Sequence, residues 1–248
     1  GEPWKTVDTL KAFNWLNWYG GKFSTSQRRG VFMDQALELL PADIWRWHLT
    51  AYGPEHSDAA FTWEQFQSTT NKDLADVLGN FVNRIVKFAE SKFGGVVPDG
   101  GEPGPLEARL EADMRAGIAE ATAQFEAMEF RKAAAALRAV WVLGNEYLQE
   151  AAPWTAFKTD VERSGVAVRT GLNLVALFAR LAAPIMPETA ARIAATVGAT
   201  DLSWPEVDAP LLDQLPRGQA VAAAAVLFTK IEDSQVAEWS ERFGGSDS

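Results

Sequence analysis

Residues 20–30, GGKFSTSQRRG, gather cations, hydroxyls and glycines within one short stretch of an acidic chain. Lys22 would supply a compact positive charge, Ser24 and Ser26 would supply hydroxyl donors, and the glycines would allow close backbone approach. Phosphoryl or nucleotidyl transfer needs such groups, because mobile cations stabilise the negative charge that develops on phosphate. A solvated hairpin turn has the same composition, so the loop alone leaves both interpretations open.

A polar stripe, Asp76, Asn80, Arg84 and Lys87, follows the apolar face of a predicted helix. A solvated stripe is usually made of Glu and Lys, whereas an Asn followed by an Arg four residues later presents amide and guanidinium donors. Cytosine offers the acceptors O2 and N3, while uracil has an N3–H donor, so these donors favour cytosine. The stripe is therefore either a solvated face or a base-reading surface.

Trp154 follows Pro153 in EAAPWTAFK, where the proline is predicted to start a helix because it needs no N–H donor there. A tryptophan at a helix start can turn its ring towards an unstacked base, and such stacking contributes about 1–3 kcal/mol. The chain contains ten tryptophans, and most of them must lie in the core. A structural role for Trp154 is therefore the alternative interpretation.

In this order, the motifs resemble the C-terminal portion of methionyl-tRNA synthetases, a family of class I aminoacyl-tRNA synthetases. KFSTS (residues 22–26) resembles the KMSKS-type signature loop, with Thr25 at the second lysine position. ADIWRWHL resembles the helix that follows this loop in the family, and LFTKIED near residue 227 is similar to its closing segment. The resemblance extends over nearly the whole chain.

The resemblance implies that Lys22, Ser24 and Ser26 act in methionine adenylation and that Lys22, Arg28 and Arg29 meet the phosphates of ATP. Either arginine could supply the charge that Thr25 lacks. ATP would be the cofactor, with Mg in the intact enzyme, and no metal site is expected in this chain. The catalytic half with its HIGH motif is not in the sequence, so we expect the chain alone to be inactive.

The resemblance also implies that Asn80, Arg84, Pro153 and Trp154 recognise the CAU anticodon of tRNA(Met). ATP and methionine would be partners through the missing catalytic half of a methionine–tRNA ligase. An alternative is a free-standing helical module that binds tRNA or protein and has no catalytic activity.

Composition limits the other classes of function. A net charge of −10 argues against a broad basic surface for nucleic acid, but it leaves room for a small cationic site. The absence of cysteine excludes disulfides and thiolate metal sites. No apolar run is expected to reach the roughly 20 residues of a membrane span, and the start does not read as a signal peptide. We therefore expect a cytoplasmic monomer.

The elements that must position these residues are mostly helices. Residues 13–18 predict a strand and residues 41–52 a helix, while apolar residues at steps of three or four from Thr62 to about Gly94 predict one long amphipathic helix. Further helices are predicted over 106–126, 130–150, 153–163, 166–182 and 188–197, with a break at Ser164-Gly165. We therefore expect a mainly α fold. A small mixed α/β connecting segment with the signature loop (1–61) precedes a helical-bundle anticodon-binding domain with a C-terminal return segment (62–248).

Overall fold

The computed structural model describes residues 6–206, 208–223 and 225–245. Over these ranges the protein is mainly helical with a small two-stranded parallel sheet, which confirms the predicted fold class. In chain order the elements are β1 (Leu16–Trp18), α1 (Met33–Leu39), α2 (Ala42–Tyr52), β2 (Ala59–Phe61), α3 (Trp63–Thr69), a π-helical segment (Thr70–Gly79), α4 (Asn80–Lys92), α5 (Pro105–Glu126), α6 (Phe130–Ala151), α7 (Pro153–Ala156), α8 (Val161–Ala182), α9 (Pro187–Thr196) and α10 (Asp233–Phe243).

An aromatic cluster joins the small sheet to the helices that follow it. β1 and β2 pair in parallel with Trp18 opposite Phe61, and these two rings stack with centroids 5.4 Å apart. Trp63, the first residue of α3, meets Trp18 edge-on at 5.8 Å, and Trp45 of α2 stacks on Phe66 at 4.3 Å. Because aromatic side chains bury large areas, the cluster fixes the N-terminal segment to the start of α3.

The strand predicted over residues 13–18 forms only at its C-terminal end. The ladder pairs Leu16 to Trp18 with β2, whereas Phe13 and Trp15 are 51% and 78% exposed. The aromatic residues that suggested a longer strand thus lie at the surface, and β2 was not predicted at all. The helix predicted over 41–52 is confirmed by α2.

The long helix (residues 63–92) comprises α3, the π-helical segment and α4. Its predicted start is confirmed, since the Thr62 hydroxyl accepts a hydrogen bond of 3.2 Å from the backbone N–H of Gln65. Leu74, Phe81 and Ile85 are fully buried along its apolar face. The predicted amphipathic helix therefore exists, and it ends where expected.

The middle of the long helix is π-helical, which its sequence pattern did not predict. The N–H of Asn80 bonds to the carbonyl of Ala75, five residues back, so the turn is wider than in an α-helix. The C-terminal return segment, residues 227–232 before α10, holds this stretch, because Asn71 exchanges hydrogen bonds of 2.8 and 2.9 Å with the backbone of Ile231. The wider turns shift the phase of the residues in α4 relative to α3.

Helix α8 is the centre of the bundle and is buried along nearly its whole length. Against the sequence expectation, it is long and apolar enough to cross a membrane, with a mean hydropathy of 1.3. However, 94% of that window is buried inside the protein, as in the core helix of a globular domain. Its apolar composition is therefore explained by its packing against α4, α6, α7 and α9.

The helix predicted over 153–163 and the break at Ser164-Gly165 are wrong. Helix α7 has only four residues, and α8 already begins at Val161, where the Asp160 carboxylate accepts from the N–H of Arg163 at 2.9 Å. Gly165 lies inside α8, where it packs against Gly100, and a Cβ on Gly165 would approach the Gly100 Cα to 2.8 Å. The glycine serves close packing here, and the N-cap lies five residues before it.

His48 of α2 is a buried histidine within the aromatic cluster. It is 3% exposed, and its ring contacts Tyr52, Phe61 and Phe66 at centroid distances of 5.5, 5.4 and 5.0 Å. Burial disfavours the charged imidazolium and lowers the pKa of His48 from 6.5 to about 4. The neutral ring is therefore the form that the fold accommodates.

We expect this burial to make stability depend on pH. Between pH 6.5 and 4 the unfolded chain binds a proton at His48 that the folded chain does not, so the free energy of unfolding should fall as the pH falls through this window. The loss should be about 3 kcal/mol relative to a His48→Phe variant. Urea unfolding of both proteins from pH 7.5 to 4 measures it, and equal pH slopes would contradict it.

Candidate nucleic-acid interface

Helix α4 presents the predicted base-reading pair to solvent. Asn80 and Arg84 are both exposed, one helical turn apart, while Phe81 and Ile85 beside them are fully buried. Among the residues that the structure describes, Arg84 forms no salt bridge, so its guanidinium donors are available to a ligand. The apolar face thus fixes the helix while leaving the polar pair accessible.

Pro153 and Trp154 occupy a sharp corner between α6 and α8. Helix α6 ends at Ala151, and Ala152 adopts the left-handed conformation with φ 41° and ψ 57°. Pro153 then starts α7, as the sequence predicted, and its buried carbonyl accepts a hydrogen bond of 2.8 Å from the Ser164 hydroxyl. Trp154 follows as a half-buried side chain. The corner determines where its indole ring lies.

The structure brings Arg84 and Trp154 together. The guanidinium carbon of Arg84 lies 4.4 Å from the centroid of the Trp154 ring, within the range of a cation–π contact. Phe88, one turn after Arg84, meets the same ring edge-on at 6.1 Å. Both side chains are reachable from solvent. The guanidinium can donate hydrogen bonds to the edge of an unpaired base, and the indole ring can stack on the face of that base.

The other two residues of the polar stripe, Asp76 and Lys87, have different environments. The Asp76 carboxylate already forms an ion pair of 2.7 Å with Lys230 of the return segment. Lys87 is exposed on α4 beyond Arg84. The stripe is therefore partly structural and partly accessible.

A buried carboxylate, Glu107, holds the helix ends around the corner. It accepts hydrogen bonds from the Tyr147 hydroxyl at 2.6 Å, from Arg163 at 2.7 Å and from the Gly104 N–H at 2.8 Å. Burial raises the pKa of Glu107, but the bonds from Arg163 and Tyr147 outweigh burial, so the pKa lies below its usual value. The ionised carboxylate thus links the start of α5, the end of α6 and the start of α8. Residue spacing did not reveal this role.

The cationic loop is a tight hairpin at the other end of the long helix. Trp18 and Gly21 exchange two backbone hydrogen bonds of 2.8 Å across a turn in which Tyr19 and Gly20 have positive φ. The Tyr19 hydroxyl reaches the start of the long helix, donating to Glu64 at 2.8 Å. The loop is therefore attached directly to the long helix.

The three cations of the loop differ in their exposure and in their hydrogen bonding. Lys22 and Arg28 are exposed, and neither forms a salt bridge with any residue of the described ranges. Arg29 is half-buried, and its Nε donates to the carbonyl of Lys22 at 2.8 Å, so it braces the hairpin. Ser24 and Ser26 lie within 3.3 Å of each other through their hydroxyl oxygens. The loop thus presents two available cations and a pair of hydroxyls.

Helix α10, which the sequence patterns did not predict, holds the loop in place. The N–H of Gly30 donates to the carbonyl of Phe243 at 2.9 Å, and Arg29 forms a β-bridge with Gly244. Gly30 has φ 105°, and a Cβ there would lie only 2.2 Å from the ring of Phe23. The aromatic side chain of the loop thus packs over a position that requires glycine.

One group of side chains within the described residues has the spacing of a metal site: Glu55, His56 and Glu129. Lys11 lies 3.4 Å from Glu55 and 3.5 Å from Glu129, and His56 bonds to Glu129 at 2.9 Å. Glu55 also accepts from two backbone N–H groups at the start of α6. These carboxylates therefore already have cationic and N–H partners, as at a helix start.

Two models of known families match this chain, one over each part of it. The family model described as the anticodon binding domain of methionyl tRNA ligase matches residues 97–248, and the model for class I (M) tRNA synthetases matches residues 1–86. An anticodon-binding bundle joined to a class I synthetase segment defines the class of protein. The chain belongs to the methionyl-tRNA ligase family.

Relatives and solved structures show how much of a protein the chain covers. It is 64% identical to the methionine–tRNA ligase of Caulobacter sp. (strain K31) over 251 residues, and 62% identical to that of Maricaulis maris (strain MCS10) over 250 residues. In both cases the match covers 99% of this chain and 44% of the relative. Mycobacterium tuberculosis methionyl-tRNA synthetase in complex with methionyl-adenylate aligns with a TM-score of 0.79 and 26% identity, covering 88% of this chain and 43% of that one. The chain thus spans less than half the length of these proteins.

The left-handed Ala152 generates a prediction about the corner. We expect Ala152→Gly to raise the free energy of unfolding by about 0.5–1 kcal/mol, because glycine adopts positive φ without the steric cost of a Cβ. Ala151→Gly, within the last turn of α6, should lower it by a similar amount. Urea unfolding followed by tryptophan fluorescence measures both. Equal losses in the two variants would show that the corner is not left-handed.

Proposed function

We propose that this chain is the C-terminal part of a methionine–tRNA ligase that recognises the CAU anticodon of tRNA(Met). Asn80, Arg84, Pro153 and Trp154 would form the reading site. The observation that carries the proposal is the contact between Arg84 and Trp154, which lie 70 positions apart in sequence and 4.4 Å apart in space. Family membership supports the same assignment.

The chemistry of the pair suits an unpaired cytosine. The indole of Trp154 offers a face for stacking, and the Pro153 corner fixes its direction. The donors of Arg84 and the amide of Asn80 can meet the acceptors O2 and N3 of cytosine, whereas the N3–H of uracil opposes a donor. Selectivity would therefore arise from Arg84 and Asn80, and most of the affinity from Trp154.

At the other end, we propose that the hairpin loop meets the phosphates of ATP during methionine adenylation. Lys22 and Arg28 have accessible charges, Ser24 and Ser26 supply hydroxyl donors, and Arg29 contributes mainly by bracing the loop through Lys22. Magnesium would neutralise phosphate charge in the complete ligase. The carboxylates of Glu55 and Glu129 do not suit that role, since Lys11 and helix N–H groups already bind them.

The long helix would connect these two sites. Arg84 lies 21 residues after Trp63, which contacts the base of the loop, so roughly 30 Å separates the loop from the reading site. We propose the division at residues 61 and 62, with the loop segment before it and the anticodon-binding bundle after it. The whole enzyme would act as a cytoplasmic monomer, with the remaining length supplying the methionine and ATP pockets.

We expect Trp154→Ala to weaken binding of an RNA hairpin with a CAU loop by about 1–3 kcal/mol, because base stacking is lost. Trp15→Ala is the matched control, since that tryptophan is 78% exposed and lies outside the site. Fluorescence anisotropy with labelled RNA measures both. Equal affinities of the two variants for the hairpin would refute the site.

Arg84→Ala should mainly reduce discrimination between hairpins with CAU and UAU loops, by about 1–3 kcal/mol. Arg84→Lys keeps the charge but loses the planar fork, so it should not restore discrimination. If both variants bound the two hairpins with the same loss, Arg84 would be a phosphate contact only. The same anisotropy assay separates these outcomes.

In the complete ligase, we expect Lys22→Ala to slow methionine adenylation about 100-fold or more, since a cation facing the transferring phosphate is removed. Methionine affinity should change little. Arg28→Ala should lower the rate without loss of stability, whereas Arg29→Ala should lower both because its hydrogen bond braces the hairpin. Single-turnover pyrophosphate release measures the rate, with Lys72→Ala as the control. If the Lys22 and Arg28 variants kept the wild-type rate, the loop would have only a structural role as a turn and would not contact the phosphates of ATP.

A further inference from the structure

A second aromatic ring lies beside the reading site. Phe157 follows α7 directly, three residues after Trp154, and both rings meet Phe88 of α4 edge-on at 6.0 and 6.1 Å. Phe93, just after α4, contacts Phe157 at 5.4 Å and Phe88 at 6.2 Å. These four rings form a continuous aromatic cluster, and none of them is fully buried. An aromatic surface therefore extends beyond Trp154.

Phe157 repeats the arrangement found at Trp154. The ammonium group of Lys92 lies 5.8 Å from the centroid of the Phe157 ring, just as the guanidinium of Arg84 lies over Trp154. Both cations come from α4, and they are eight residues apart, about 12 Å along the helix. The corner at Pro153 supplies both rings, and α4 supplies both cations.

The charge around this surface favours an anionic ligand. Helix α4 carries three cations, Arg84, Lys87 and Lys92, against one carboxylate, Glu90, in a chain of net charge −10. Lys92 is exposed and forms no salt bridge with any residue of the described ranges. A single-stranded nucleic acid matches both features of this surface. Its phosphates are anionic and pair with the cations, and its unstacked bases can stack on the aromatic rings.

We propose that Phe157 and Lys92 form a second nucleotide-binding platform, on which a second unpaired base of the RNA loop stacks while Lys92 contacts its phosphate. The inference rests on the proposed function, because the same RNA loop would occupy Trp154. The ligand is a single-stranded nucleotide adjacent to the one on Trp154. Phe88 keeps the two platforms apart by standing edge-on to both rings.

The test compares hairpin RNAs that lack one base at a time. Phe157→Leu keeps an apolar side chain but removes the aromatic face, and Trp154→Leu is the matched change at the first platform. Affinities are measured for a CAU-loop hairpin and for three hairpins with an abasic nucleotide at each anticodon position. We expect Phe157→Leu to weaken binding of the intact hairpin about 5- to 100-fold. That loss should disappear with one abasic hairpin, and Trp154→Leu should respond to a different one.

Lys92→Gln tests the cation separately. It should weaken binding and reduce the slope of log affinity against log salt by about one, as for the loss of one phosphate contact. Lys72→Gln, at an exposed position in the π-helical segment and 20 residues before Lys92, should leave the slope unchanged. An unchanged slope for Lys92→Gln would overturn the phosphate contact.

The two proposals can fail independently. If Trp154→Leu weakens binding and Phe157→Leu does not, the second platform is wrong and the reading site stands. If Phe157→Leu weakens binding equally for all four hairpins, Phe157 only supports the corner, and the inference is overturned. If neither variant changes affinity, both the second platform and the proposed recognition of RNA are wrong.

Discussion

The uninterrupted long helix is the constraint on which the other features depend. Its first residue, Trp63, is buried in the aromatic cluster that anchors the hairpin loop, and its last turns carry Arg84, Phe88 and Lys92. A helix is stiff over this length, so the loop and the reading site are held at a set separation of roughly 30 Å. The return segment adds to this by bonding the π-helical turns through Asn71.

The exposure of Asn80 and Arg84 could be predicted from the sequence because it is a local property of one helix. Apolar residues at steps of three and four place Asn80 and Arg84 on the accessible side of one helix, and a proline before Trp154 indicates a helix start. Their meeting could not be read from spacing. It depends on the left-handed Ala152 and on the N-cap at Asp160, which starts α8 five residues earlier than predicted.

In the hairpin loop, too, the sequence alone could not show which side chains the tertiary structure leaves available. Its composition fitted both a phosphate-handling loop and a solvated hairpin turn, and in the structure Lys22 and Arg28 are exposed. The distinction between Arg28 and Arg29 is a matter of tertiary structure, since only Arg29 turns back to the carbonyl of Lys22. Helix α10 was not predicted from the sequence, yet the carbonyl of Phe243 holds the loop at Gly30. The chemistry inferred from residue type stays a prediction, while distant packing decided which side chains are available.

Photo-cross-linking tests the central claim most directly. A hairpin RNA with 5-iodocytidine at the first anticodon position would be irradiated in complex with the chain, and the adduct located by mass spectrometry. Because the base is proposed to stack on the indole ring, the adduct should lie on Trp154. Trp15 is an internal reference, since it is 78% exposed and should stay unmodified. Adducts on Trp15, or spread over many aromatic residues without Trp154, would contradict the account.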